Sequence, residues 1–206
     1  MTDVRTYAVL TPFDSADALA ALCALHGLDV QVVATDSGAL VYRQLATPVY
    51  DEWDIRNITG PDPDEEPASL SDDAPAVAGM LSRLSPYGSI LIDVNLDKES
   101  TGFEPGVSGM VRARRFFAGK ADEEIASGLL LNSLDPIVEE LMLGERSITD
   151  CETWDSAQLT QADIEKILRK VARGEDADDL DGMEGEAGAA DATGEAGEES
   201  NRGGSR

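Results

Sequence analysis

Residues 89–96 read SILIDVNL, and they decide the fold. Ile90, Leu91, Ile92, Val94 and Leu96 make an eight-residue apolar run broken by Asp93 and Asn95. The run is rich in β-branched residues and follows the turn residues Ser85-Pro86-Tyr87-Gly88, so it reads as a strand. Ile92, Val94 and Leu96 are expected on the inward face, with Asp93, Asn95 and Asp97 on the other.

Working toward the N-terminus, Asp73 is placed to cap a helix with Pro75 in its first turn. Val77, Met80, Leu81 and Leu84 form its apolar stripe. Before it, residues 51–73 hold nine acids, one arginine and Pro61, Pro63 and Pro67, which predicts a polar surface connection. Further back, Tyr7–Thr11 is a short apolar strand. Asp14 or Ser15 opens a helix to about His26, with Leu19, Leu22, Cys23 and His26 near one face and Gly27 just past its end. A strand at Val30–Ala34, the turn Thr35-Asp36-Ser37-Gly38 and a strand at Leu40–Leu45 predict a hairpin.

The order strand, helix, strand, strand, helix, strand is that of a ferredoxin-like βαββαβ sandwich. The expectation is an α+β fold: an antiparallel sheet with helices on one face, the other face free and available to a second copy in a homodimer. Residues 1–118 form this core, with Gly109–Phe117 as a further strand. Residues 119–173 are expected as a helical extension packed on the core. In it Asp122–Leu143 is helical and interrupted at Asp135-Pro136, and Thr160 with Asp163 forms a capping box opening a helix to Arg173. Residues 174–206 hold eleven acids, two arginines and eight glycines with almost no apolar bulk, so this acidic tail is expected to be disordered.

The chain has 206 residues and a net charge of -25. Such a field opposes bulk binding to nucleic acid or an anionic membrane, which needs clustered Lys and Arg. It favours a protein partner with a basic surface, or imitation of nucleic acid by fixed carboxylates. Arginine outnumbers lysine twelve to four, and a biased base composition or adaptation to salt produces the same acidity without any functional cause. The N-terminus lacks the basic start and apolar run of a secretory signal, and no apolar segment reaches membrane-spanning length, so the expected setting is the cytoplasm. Cys23 and Cys151 suggest neither a disulfide framework nor a metal knuckle.

The stretch DVNLDKESTGFE, residues 93–104, fits an EF-hand frame in part. Asp93, Asn95, Asp97 and Glu104 occupy ligand places for Ca²⁺ or Mg²⁺. Lys98 stands where the frame needs glycine, and a strand precedes the loop where an EF-hand has a helix, so a solvated strand end is the simpler reading. Arg112, Arg114 and Arg115 are the densest cations in the chain. They suit a phosphate, a carboxylate or an acidic segment such as the tail, while ion pairing within an acidic body is the plainer use. His26 has no catalytic neighbour in the sequence and suits the cation-favouring end of a helix. Trp53 and Trp154, in acidic irregular segments, read as tucked onto the core; an exposed tryptophan there would anchor a partner. Phosphate-loop, dinucleotide and nucleophile-elbow motifs are absent. These features favour a non-enzymatic interaction or regulatory protein acting through protein–protein contacts. The alternative is a small enzyme or ligand-binding domain using the acidic loop.

Overall fold

In the computed structural model, which describes residues 4–45, 53–55, 69–96 and 111–174, seven antiparallel strands form one sheet. They are β1 (Val4–Leu10), β2 (Gln31–Thr35), β3 (Gly38–Leu45), β4 (Ser89–Leu96), β5 (Val111–Phe117), β6 (Lys120–Ile125) and β7 (Thr153–Asp155). Their order across the sheet is β6-β5-β4-β1-β3-β2-β7. The helices are α1 (Ala16–Leu25), α2 (Ala74–Leu81), α3 (Ser127–Leu131), α4 (Pro136–Met142) and α5 (Gln161–Arg173). The protein is therefore a mixed α/β fold on a single antiparallel sheet.

The expected free sheet face is covered. Tyr7, Val9, Leu19, Cys23, Val32, Val41, Val77, Leu81, Leu91 and Phe116 form a core under α1 and α2. Ala8, Val33, Leu40, Ile92, Val94, Val111, Val138, Leu141 and Met142 form a second core under α3 and α4. The central strands are thus sandwiched between helices on both faces, so among the described residues the face expected to be free is covered there. The cause is visible along β3, where Ala39, Leu40, Val41 and Tyr42 are all buried. A strand buried on both faces reads as a continuous apolar run rather than an alternation.

Local signals match the elements closely. Asp73 Oδ1 accepts from the Ala76 amide at 3.0 Å, and Pro75 lies in the first turn of α2. Asp135 caps α4 by accepting from the Ile137 amide at 3.0 Å, with Pro136 opening the helix. Thr160 and Asp163 form the capping box of α5. Gly27 takes φ +70° past α1.

Several expectations fail. Residues 122–125, expected as helix, are strand β6. Residues 119–173 accordingly contribute β6 and β7 to the sheet as well as α3, α4 and α5. Leu84 lies beyond α2 and is 37% exposed, so it is not part of the buried stripe. His26 is exposed, whereas Leu19 and Cys23 are buried. Trp154 packs against the first core from β7, but Trp53 is 92% exposed rather than tucked in. At the end of the acidic connection Ser71 is buried, and its hydroxyl accepts from the Asp29 amide at 2.8 Å, so residues 70–72 are a docked turn. The rest of that connection, apart from residues 53–55, and the whole tail beyond residue 174 lie outside the described residues.

Candidate functional site

The β5–β6 hairpin turns at Ala118-Gly119, both with positive φ, at +50° and +85°. Two successive positive φ values suit the twist of a tight hairpin, although alanine rarely adopts one. Helix α2 holds this turn in place. The Gly119 amide donates to Ser82 Oγ at 2.9 Å, and Ser82 Oγ donates to the Gly79 carbonyl at 2.8 Å. A Cβ on Gly79 would sit 3.2 Å from the Gly119 carbonyl, so the helix approaches the turn where it carries no side chain. The Arg83 guanidinium lies over Gly119.

The turn after α2 lies against the same strand end. Gly88 takes φ +78°, and any Cβ there would run into the Phe116 carbonyl, so this contact requires glycine. Between the two turns is a shallow, open depression of about 460 Å³ lined by Arg83, Leu84, Pro86 and Phe117 among others. Phe117 is 47% exposed, and neighbouring Tyr87 is 74% exposed. The lining includes no carboxylate. Among the described residues the Arg83 side chain makes no ion pair or hydrogen bond.

The three arginines singled out in the sequence are split by the sheet. Leu91, on the α1–α2 face, lies opposite Arg114, so Arg112 and Arg114 share that face and Arg115 points to the other. Arg114 pairs with Glu124 at 2.5 Å, and Arg115 approaches Glu123 at 3.9 Å. Arg112 stands opposite Asp93, whose carboxylate meets Arg5 at 3.5 Å. Arg5 was not singled out, because only strand pairing brings it beside Asp93.

Of the four metal-ligand candidates, Asp93 faces Arg5, and the Asn95 backbone pairs opposite Arg5 in the ladder. Asp97 and Glu104 lie outside the described residues. Among the described residues no group of three or more His, Cys, Asp or Glu side chains is arranged to hold a metal ion, and no helix is long and apolar enough to cross a membrane.

No known protein family, curated protein or solved structure matches this chain.

Two titrating clusters are structural in character. Burial pushes the Cys23 thiol up to about 12, which keeps it protonated and unreactive. Burial also raises Cys151 and Tyr42. Burial alone would raise Asp72, but the Ser69 hydroxyl and the Arg43 guanidinium outweigh it and hold the carboxyl below its ordinary value. Arg43 Nε donates to Asp72 Oδ1 at 2.8 Å, and Arg43 also pairs with Asp29 at 3.1 Å. Beside this cluster the Tyr7 hydroxyl donates to the Ser71 carbonyl at 2.5 Å.

Proposed function

We propose that this chain is a non-enzymatic interaction protein that acts through protein–protein contacts, and that its contact surface is the end of the sheet where the turn after α2 meets the β5–β6 turn. One observation carries the reading: Leu84, Pro86 and Phe117 line one open depression at that end and Tyr87, next to Pro86 in the chain, is exposed, in a chain whose aromatic content is only 5%. An aromatic side chain buries 150–250 Å² when covered. At roughly 25 cal/mol per Å², covering the exposed part would favour association by about 3 kcal/mol for Tyr87 and about 2 kcal/mol for Phe117. The turns that present these side chains are fixed by Ser82, Gly79 and Gly88, so little ordering entropy opposes binding. Trp53 is a second exposed anchor of the type that dominates interfaces.

We further read β1, α1, β2, β3, α2 and β4, with strand order β4-β1-β3-β2, as a ferredoxin-like core. To it β5, β6, β7 and the later helices are added. That core acts as a rigid mount for the contact surface.

The test is affinity capture from the source cells with the wild type and a Tyr87→Ala/Phe117→Ala double variant. Both side chains are well exposed, so the melting temperature should hold. At least one partner should drop about tenfold or more in the variant. An identical captured set for both proteins overturns the reading.

A further inference from the structure

The contact surface also carries information about the partner, and the inference rests on the reading just given. The chain holds 41 acidic and 16 basic side chains, so its arginines lie in a large excess of carboxylates. Arg5, Arg43, Arg114, Arg115, Arg146 and Arg169 each pair with one, and Arg112, though without an ion pair among the described residues, has Asp93 opposite it in the ladder. Arg83 does not: its guanidinium lies over Gly119 and lines the depression, making no ion pair or hydrogen bond among the described residues. An unpaired arginine and an exposed phenylalanine line the depression, and exposed Tyr87 follows its Pro86 in the chain; arginine and aromatic side chains are the types that dominate protein interfaces. The geometry points to a ligand with two features side by side: an apolar side chain to lie among Leu84, Pro86 and Phe117, and a carboxylate for Arg83.

We propose that this surface binds an acidic peptide segment of a partner protein, in which Asp or Glu neighbours an aliphatic or aromatic residue. The guanidinium fork donates two parallel hydrogen bonds to a carboxylate, which a lysine cannot reproduce. Global charge alone favours a basic partner, since the chain carries -25. Screening decides otherwise at the site. At physiological ionic strength the Debye length is about 8 Å, so charges elsewhere on the chain are damped, whereas the contact with Arg83 is direct. The two alternatives have opposite salt signatures. A basic partner held by the overall field loses affinity as salt rises. An acidic segment gains on-rate as the long-range repulsion is screened, while its direct ion pair weakens only modestly.

The experiment selects a phage-displayed random heptapeptide library on the full chain, with counterselection against Phe117→Ala. The expected winners are enriched in Asp or Glu adjacent to Leu, Phe or similar residues. The leading peptide is then measured by fluorescence anisotropy. Arg83→Ala should weaken it by about ten- to thirtyfold, the scale of a charge-assisted bidentate contact. Arg83→Lys keeps the charge but not the guanidinium fork that lies over Gly119, and should still lose at least about fivefold. Raising NaCl from about 20 to about 150 mM should leave the affinity unchanged or improved. Basic or compositionally neutral winners, no winners, or full binding by both Arg83 variants overturn the proposal. Winners that are basic yet lost on Phe117→Ala leave the contact surface standing and remove only the acidic partner. No winning peptides, together with an identical captured set for wild type and the Tyr87→Ala/Phe117→Ala variant, removes the surface itself.

Discussion

Arg43 shows how a single residue joins distant parts of the chain. Its guanidinium bridges Asp29, before β2, and Asp72, in the docked turn before α2. Its side chain is 20% exposed and that of Asp72 is 25% exposed, so the pair is well shielded from water. The Asp72 carboxyl is held below its ordinary value, and the sign of its pH dependence follows. Its contribution is fully present above the unfolded value of about 3.9 and is lost as pH falls through the depressed folded value. Arg43→Ala should cost about 1–3 kcal/mol at neutral pH, and its deficit against wild type should shrink below about pH 4. Urea titrations at neutral and acid pH measure this; an equal deficit at both would show that the pair contributes nothing through charge. Site residues at this scale were only partly legible. Arg112, Arg114 and Arg115 drew notice by density, yet strand alternation sends them to two faces. Arg83 is a single arginine in sequence, and only the turn that folds under it gives it a role.

Strand β6 shows what a neighbouring element can override. Its sequence, KADEEI, has good helix formers at most positions, and period and propensity place it in a helix. The Ala118-Gly119 turn, held by Ser82, delivers it instead beside β5, where ladder bonds outweigh a preference of a few tenths of a kcal/mol per residue. The pairing is irregular. Arg114 faces Glu124 and Phe116 faces Ala121, so Asp122 and Glu123 together oppose Arg115, which is a bulge. A bulge and three consecutive carboxylates on an outermost strand are the devices that stop edges pairing with other chains. At the opposite edge β7 is only three residues long, a second such device. Replacing Asp122, Glu123 and Glu124 by threonine should therefore raise the sedimentation coefficient in a concentration-dependent way. Unchanged sedimentation would mean that the bulge alone suffices.

At the scale of the whole molecule the acidity opposes the compact state. Screening should relieve that self-repulsion, so the melting temperature should rise between about 20 mM and about 300 mM NaCl. A fall would indicate that net attraction in pairs such as Arg43–Asp72 and Arg114–Glu124 outweighs the excess charge. The sequence by itself determined much of the architecture: β4 at residues 89–96, the β2–β3 hairpin, the caps at Asp73, Asp135 and Thr160, and the strand expected over 109–117, which is β5 over its described part, Val111–Phe117. Those signals are local, because turn residues, capping side chains and β-branched runs act within a few positions of one another. Tertiary structure alone decided that both sheet faces are covered, that residues 120–125 extend the sheet, and that Arg83 meets Phe117 at a depression free of carboxylates. Each of these depends on which segments, far apart in the chain, come to share an edge or a layer, and no spacing along the sequence records that.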